Sequence, residues 1–205
     1  KIIAAHDPSD PFYLHYTPHM VHSPYELSPT FSTQFDHGKC ACDGRCTIQS
    51  MSAAIDSMIG NLTTALAAKG MDKNFVFIYS GDNGGVGSGT NYPFKGTKMN
   101  FFEGGIRAGS FIYSTLLPAK VVGQDLSGIM HVCDWWLTLC LLAGGGAQCC
   151  DSDPGMHPLD SLDMWPLISG ANNTSPRDGQ PLIIGFEADY EFAPALGEGT
   201  GALIW

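Results

Sequence analysis

Apolar residues recur along the chain at two spacings, which predict alternating helices and strands. A continuous apolar run at residues 75–79 predicts a strand covered on both faces, and residues 129–142 predict a helix closed by three glycines. Three- and four-residue steps predict an earlier amphipathic helix that ends at Gly70 and carries Ile48, Met51, Ile55, Met58, Leu62 and Leu66.

Three further segments have the composition of strands. They are residues 11–17 (PFYLHYT), 107–114 and 181–186. Strands that alternate with helices indicate an α/β fold with a largely parallel or mixed central sheet and helices on both faces. Ligands bind at the carboxyl ends of strands in such sheets. We therefore expect the histidine loop after residue 17 and the loop after residue 79 to share one functional edge.

Composition and charge narrow the function classes only slightly. The 205 residues carry a formal charge of −10, which argues against general binding to nucleic acid or to anionic membranes. The most apolar stretch, residues 129–143, is interrupted by His131 and Asp134, so no membrane span is predicted. The chain begins without Met or a signal peptide and has the character of a piece of a longer protein.

The cysteines allow two interpretations. Seven are present, and an odd number leaves one thiol free or paired outside this chain. A zinc site could be formed by His37, Cys40, Cys42 and Cys46, but the C-x-C-x3-C spacing lacks the usual CxxC pairs. Disulfides formed in an oxidising compartment are the favoured interpretation.

Glycosylation sequons agree with that compartment. The candidate acceptors are Asn61, Asn172 and Asn173. Together with the cysteines they predict a protein of the secretory pathway that is extracellular, at the cell surface or lysosomal.

The sequence FIYSGDNGG places oxygen ligands directly after a strand. Asp82 and Asn83 carry hard donors that suit calcium or magnesium better than zinc. Gly84 and Gly85 lack the side chains that would block an ion. The alternative is structural, because D-N-G-G is also a good tight turn. Two residues do not complete a metal site, so further ligands are expected from elsewhere.

Cationic and titratable side chains flank this turn in the sequence. Lys95 and Lys98 are candidates for binding an anion, and Lys98 for stabilising developing negative charge. His22 is a candidate acid, base or anion contact. For each of them the alternative is an ordinary solvated loop residue.

Taken in order, these segments resemble the sulfatase family. The motifs are DPFYLHYTPHMVHSP, SMSAAIDSMIGNLTTALAAKG, FIYSGDNGG, NYPFKGTKMNFFEGGIRAGSFIYS, HVCDWWLTLCLLAG and PLDSLDMWPLISG, spanning residues 10 to about 184. The nearest resemblance is to the arylsulfatases similar to N-acetylgalactosamine-4-sulfatase. The resemblance implies the alkaline-phosphatase/sulfatase-like fold and the carboxyl-terminal part of a catalytic domain over residues 1–184, with a smaller subdomain beginning at 185–205.

The resemblance also implies roles for individual residues. Asp82 and Asn83 would be calcium ligands, and His22 and Lys98 would be catalytic and would contact the sulfate group. Residues 103–107 would support that loop. Family members attack sulfur with a formylglycine hydrate made from a cysteine or serine in a C/S-x-P-x-R motif.

This chain departs from the family pattern at three places. Leu137 stands where the family usually has proline, and Ser161 stands where L-D-G has glycine. The C/S-x-P-x-R motif is absent, since Ser175-Pro176-Arg177 is out of frame. We therefore expect the formylglycine on an upstream segment or a companion chain, and no turnover by this chain alone.

Three functions remain. The first is calcium-dependent hydrolysis of sulfate esters, with a sulfated small molecule or glycan as substrate and neither nucleic acid nor a membrane as partner. The second is a catalytically inactive, sulfatase-like secreted glycoprotein with a structural or binding role. A metal-dependent phosphate-ester hydrolase of related architecture is the third, and the sulfatase-like register of His22, Lys98 and E-G-G-x-R disfavours it.

Overall fold

The computed structural model describes residues 1–26, 31, 44–149 and 157–180, and the backbone of 182–185 and 201–204. The chain divides into two compact units, Lys1–Thr115 and Leu116–Trp205. The proposed zinc ligands His37, Cys40 and Cys42 lie outside the described residues, while Cys46 is disulfide-bonded.

Among the described residues, the first unit has the following helices and strands. In chain order they are α1 (Ile2–Ala5), α2 (Gly44–Ala68), β1 (Val76–Ser80), α3 (Glu103–Ile106) and β2 (Ser110–Ser114). The second unit contains α4 (Asp134–Leu142), a 3-10 helix (Gly146–Cys149), α5 (Trp165–Ile168), β3 (Leu182–Gly185) and β4 (Gly201–Ile204).

Helix α2 confirms the prediction made from the apolar spacing. Gly70 ends it with a φ of +69°, a left-handed conformation that glycine adopts without steric cost. The Gly70 N–H donates to the Ala67 carbonyl at 3.0 Å, and the Met71 N–H donates to the Leu66 carbonyl at 2.9 Å. This pair of bonds is a Schellman cap, which satisfies carbonyls that the helix end would otherwise leave unpaired. The buried residues of the helix are Ser50, Met51 and Ile55.

Strands β1 and β2 pair antiparallel and carry aromatic side chains on one face. Phe77 lies opposite Tyr113, and Tyr79 lies opposite Phe111. The Tyr79 and Phe111 rings stack with centroids 5.3 Å apart, and Phe75 meets Tyr113 edge-on at 5.5 Å. Phe111 and Tyr113 are about half exposed, at 45% and 53%. In the described part of the chain the sheet is therefore not covered on both faces, contrary to the prediction from the apolar run.

Other predicted elements are shorter than expected or absent. Residues 11–17 form no strand, the second strand begins at Ser110 instead of residue 107, and α4 begins at Asp134 instead of residue 129. Both described strand pairs, β1–β2 and β3–β4, are antiparallel, so the parallel pairing expected of the sheet does not occur among the described strands. The boundary expected between residues 184 and 185 falls within β3 and stays a prediction.

The second unit packs a small core around α5. Met164 is fully buried, and Leu167 and Ile168 are nearly so. A disulfide joins Cys140 to Cys149, which meets the expectation of disulfide bonds. Within the part of the chain that the structure describes, the helices are too short or too polar to cross a bilayer.

Candidate functional site

The D-N-G-G segment forms a turn directly after β1. The Gly81 N–H donates to the Gly109 carbonyl at 3.0 Å, which fixes the start of the turn beside the entrance to β2. Oδ1 of Asp82 accepts the Asn83 N–H at 2.9 Å, and Nδ2 of Asn83 donates to the Gly84 carbonyl at 3.0 Å. The turn expected from these residue types is therefore present. Among the described residues, Oδ2 of Asp82 and Oδ1 of Asn83 accept no hydrogen bond.

Gly84 makes a close backbone contact that the sequence did not predict, and the expectation that it leaves room for an ion stays a prediction. A Cβ at this position would collide with the backbone carbonyl of Gly104. The Gly84 N–H donates to the Gly105 carbonyl at 2.8 Å. Glycine is thus required because the turn lies directly against the E-G-G segment of α3, whereas the sequence suggested clearance for an ion.

The loop that carries Lys98 contacts the same turn. The Lys98 N–H donates to the Gly85 carbonyl at 3.3 Å, and the Gly104 N–H donates to the Lys95 carbonyl at 2.8 Å. The Lys98 side chain is half-buried, while Lys95 is exposed and its Nζ lies 4.1 Å from the centroid of the Phe102 ring. Among the described residues neither ammonium group forms a salt bridge with a carboxylate.

Helix α3 packs between the turn and this loop. An ion pair joins its first residue to the residue that follows the helix. Nη1 of Arg107 lies 3.0 Å from Oε2 of Glu103, and both side chains are about half exposed. The Arg107 guanidinium lies 4.7 Å from the centroid of the Phe94 ring. Arg107 therefore contacts the loop through Phe94, in keeping with the supporting role that the resemblance implies for residues 103–107.

His22 is the predicted site residue that the structure does not join to the others. It is exposed, and its Nδ1 donates to the Ser23 carbonyl at 2.8 Å. Its ring centroid lies 5.9 Å from that of His19. No hydrogen bond, salt bridge or ring contact links His22 to Asp82, Asn83 or Lys98 in the described part of the chain. Its role stays a prediction.

The ligand atoms at the turn are of the type that calcium prefers, but there are too few of them to complete a calcium site. A carboxylate and a carboxamide oxygen are hard ligands, and calcium takes about six to eight oxygens. Asp82 and Asn83 offer two side chains, and the described residues contain no cluster of three or more His, Cys, Asp or Glu that could hold a metal. These two residues would hold the ion only together with ligands from elsewhere in a longer protein.

Asn91 is a residue that the motifs did not single out. Its Oδ1 accepts the Gly85 N–H at 2.8 Å, and its Nδ2 donates to the carbonyls of Gly85 at 2.9 Å and of Gly96 at 3.0 Å. One carboxamide thus reaches both the D-N-G-G turn and the Lys98 loop. The available signal was an asparagine inside a Gly- and Lys-rich loop, which sequence reasoning treats as ordinary loop composition.

A second polar cluster lies at the start of α4. The Asp134 side chain is fully buried, and that of Arg177 is 8% exposed. Nη2 of Arg177 donates to Oδ1 of Asp134 at 2.5 Å, and Nε donates to Oδ2 at 2.7 Å. The carboxylate also accepts the N–H groups of His131 at 2.8 Å and Leu162 at 2.9 Å. Its hydrogen-bonding capacity is saturated within the protein.

These contacts set the direction of two pKa shifts. Burial alone would raise the pKa of Asp134, but the Arg177 hydrogen bonds and the two backbone N–H groups bring it below its usual value. Burial, aided by the neighbouring Asp134 charge, raises the pKa of the Cys133 thiol. Cys133 is the free cysteine of the described residues, and its thiol stays protonated near neutral pH.

Two of the three departures from the family pattern, Leu137 and Ser161, contact each other. The Leu137 N–H, which a proline would lack, donates to Oγ of Ser161 at 2.9 Å. The hydroxyl that a glycine would lack therefore accepts the hydrogen bond that the leucine introduces. Both residues serve the packing of α4 in the second unit.

The candidate glycosylation sites lie on the surface. Asn61 on α2 and Asn172 and Asn173 after α5 are exposed. Oδ1 of Asn172 accepts the Thr174 N–H at 3.2 Å. Exposure is what an acceptor asparagine requires, and the modification itself stays a prediction.

Comparison with known proteins identifies the family. The Sulfatase family model matches residues 1–145. Arylsulfatase J of Mus musculus is 37% identical over 172 residues, which cover 82% of this chain and 27% of that protein. N-acetylgalactosamine-6-sulfatase of Canis lupus familiaris is 26% identical over 195 residues, which cover 92% of this chain and 33% of that protein. The chain thus spans between a quarter and a third of the length of these relatives.

Solved structures agree with this assignment and with the predicted fold class. The crystal structure of Ps i-CgsB superposes with a TM-score of 0.68 at 26% identity, covering 80% of this chain and 34% of that chain. Its complex with k-i-k-neocarrahexaose gives a TM-score of 0.67 over the same shares. The resemblance inferred from the motifs is confirmed, and the chain belongs to the sulfatase family.

Proposed function

We propose that the protein to which this chain belongs hydrolyses sulfate esters with the help of calcium, and that this chain supplies part of the active site. The observation that carries the proposal is the hydrogen bond from the Lys98 N–H to the Gly85 carbonyl at 3.3 Å. It joins a turn that offers oxygen ligands to a loop that offers an ammonium group. Sulfate-ester chemistry needs both, because negative charge develops on the sulfate and on the leaving oxygen.

Each residue has a distinct part in this proposal. Asp82 and Asn83 would hold the calcium ion, which supplies Lewis-acid polarisation of the ester oxygens. The Lys98 ammonium opposes the negative charge that develops. Because Nδ1 of His22 already donates to Ser23, its Nε2 is the nitrogen left to exchange a proton with the leaving alcohol.

The nucleophile would come from outside this chain. The sequence contains no C/S-x-P-x-R motif, and the relatives are three to four times longer than the matched region, given coverages of 27% and 33%. We propose that an upstream segment of the same protein, or a companion chain, carries the formylglycine and the remaining calcium ligands. This chain alone would then be inactive.

The substrate class follows from local charge. The chain is acidic overall, at −10, yet Lys95 and Lys98 present two cations on one loop. A local positive potential in an acidic protein favours small anions over polyanionic nucleic acid. The complex of Ps i-CgsB with an oligosaccharide supports a sulfated glycan or sulfated small molecule as the substrate here.

We also propose that the protein passes through the secretory pathway. The Cys140–Cys149 disulfide and the exposed sequons support an oxidising, glycosylating compartment. Removal of N-glycans by an amidase should lower the apparent mass, and the change should shrink when Asn61, Asn172 and Asn173 are replaced by Gln. An unchanged mass in all forms would contradict this part of the proposal.

The test uses the full-length protein and an aryl sulfate. Turnover should disappear on chelation and return with calcium, and Asp82→Ala and Asn83→Ala should weaken calcium binding measured by calorimetry. Asp56→Ala is the matched control, because Asp56 is an exposed carboxylate on α2 of the same unit. A folded, full-length protein that binds calcium but cleaves no sulfate ester would favour the inactive, binding role instead.

A further inference from the structure

The carboxamide of Asn91 joins two separate parts of the candidate site. Its three hydrogen bonds run to the N–H and carbonyl of Gly85 and to the carbonyl of Gly96, at 2.8, 2.9 and 3.0 Å. Gly85 is the last residue of the D-N-G-G turn, and Gly96 lies two residues before Lys98. The half-buried side chain therefore spans from the cation-binding turn to the anion-binding loop.

A carboxamide suits this place because the surroundings demand one acceptor and two donors. Aspartate would present acceptors to two carbonyl groups, and serine or alanine could not reach both partners. An unpaired buried backbone group costs about 1–3 kcal/mol in general, so the pattern selects strongly for asparagine.

Other contacts fasten the turn and the loop to α3, but they act on different atoms. The Gly84 N–H bonds to the Gly105 carbonyl, and the Gly104 N–H bonds to the Lys95 carbonyl, both at 2.8 Å. The Gly85 carbonyl accepts both Nδ2 of Asn91 and the Lys98 N–H. Asn91 thus adds a side-chain connection between the turn and the loop to the direct backbone bond from Lys98 to Gly85.

We propose that Asn91 is a positioning residue of the sulfatase site, which holds the Asp82–Asn83 turn and the Lys98 loop at a fixed separation. Its carboxamide then contributes to the coupling between calcium binding at the turn and sulfate binding at the loop. This inference rests on the proposed function and adds a residue and a coupling that the motifs do not contain.

The experiment measures that coupling in the full-length protein. The dissociation constant of inorganic sulfate is measured by calorimetry with and without saturating calcium, for wild type, Asn91→Ala and the milder Asn91→Ser. Asn74→Ala is the matched control, because Asn74 is an exposed asparagine ahead of β1. Calcium should tighten sulfate binding in wild type and control. The ratio of the two dissociation constants should be smaller in both Asn91 variants, without reaching one, because calcium also acts on the ester oxygens directly.

Turnover gives a second readout. Misplacement of reacting groups by about 1 Å can cost on the order of 100-fold in rate, so kcat should fall by about 10- to 100-fold in the Asn91 variants. A merely structural role would lower the melting temperature but leave the calcium–sulfate coupling of the folded protein unchanged.

A measurement on the wild type covers the case in which the variants do not fold. Calcium should slow hydrogen exchange of the peptide that covers residue 85, since the Gly85 N–H donates to Oδ1 of Asn91. Unchanged exchange, or variants that retain the full coupling, would overturn the role of Asn91 alone. If the wild type binds neither calcium nor sulfate, the proposed function fails as well.

Discussion

The candidate site and the cluster at the start of α4, formed by Asp134 and Arg177, both contain charged groups. In the described part of the chain, the charges are unpaired at the site and paired in the cluster. At the site, Asp82 is exposed, and neither it nor Lys98 forms a salt bridge among the described residues. In the α4 cluster, Asp134 and Arg177 are buried and neutralise each other. The site is shaped by backbone and amide hydrogen bonds, so its charges remain available to a ligand. The cluster uses its charges to join distant parts of the chain.

Functional and structural charges in one molecule can therefore be distinguished by whether the hydrogen bonds of the charged group are all internal. A buried charge whose hydrogen bonds are all internal contributes to stability, and its removal leaves a partner unpaired. An open charge contributes little to folding and acts when a substrate or ion arrives.

The largest effect is expected from Arg177→Met. Breaking one side of a buried ion pair costs about 3–5 kcal/mol, because the remaining charge is left unpaired. Urea unfolding should show this loss in free energy of unfolding. Arg107→Met is the control, since its ion pair with Glu103 is half exposed and such pairs contribute about 0–1 kcal/mol. Equal losses in the two variants would remove the distinction between the clusters.

Lys98→Ala should lower kcat strongly and change the free energy of unfolding little. Loss of one group that stabilises transition-state charge costs on the order of 100- to 1,000-fold in kcat, while the free energy of unfolding should change by less than about 0.5 kcal/mol. Lys73→Ala is the matched control, because Lys73 is an exposed lysine whose partner is Asp72. Kinetics on an aryl sulfate and urea unfolding of the full-length protein separate the two readouts. A large stability loss with intact turnover would make Lys98 structural.

Acidification should destabilise the second unit through Asp134. Its pKa is depressed in the folded state, so its stabilising contribution is present above the ordinary aspartate range near pH 4 and is lost as pH falls through the folded pKa. Unfolding in that range should take up about one additional proton through this group. The slope of unfolding free energy against pH should decrease by that amount in Asp134→Asn.

The smallest effect concerns Leu137 and Ser161. Ser161→Gly should cost about 1–3 kcal/mol, because the Leu137 N–H loses its acceptor. In a Leu137→Pro background that donor no longer exists, so the cost should be about 1 kcal/mol smaller. A double-mutant cycle by urea unfolding measures the difference. Strict additivity would show that the hydrogen bond has no energetic weight.

Local patterns carried the parts of the fold that local forces determine. The spacing of Met51 and Ile55 and the glycine after the helix gave α2 and its cap, and the apolar run gave β1. Residues 11–17 have strand composition, but they form no strand because pairing requires a partner that composition does not reveal. The helix expected from residue 129 begins at Asp134, whose carboxylate accepts the His131 N–H.

The candidate site was predictable where a motif names its residues and not where contacts cross the sequence. Asp82 and Asn83 were singled out from D-N-G-G and Lys98 from the segment before E-G-G-x-R. The structure joins the two segments through the bond from the Lys98 N–H to the Gly85 carbonyl. Asn91 was missed because a carboxamide that joins two loops has the composition of an ordinary loop. Arg177 was missed because its partner lies 43 residues away.

The arrangement of α4 also gives the chain a built-in optical probe. The four tryptophans of the chain all fall within the unit Leu116–Trp205, and they are Trp135, Trp136, Trp165 and Trp205. Two of them directly follow Asp134. Tryptophan emission, excited where tyrosine does not absorb, therefore reports on the second unit alone. Six of the seven tyrosines, including Tyr79 and Tyr113 of the aromatic strand face, belong to the first unit, and Tyr190 belongs to the second. Tyrosine emission therefore reports mainly on the first unit, so the two halves of this chain can be followed at different wavelengths during a single unfolding experiment.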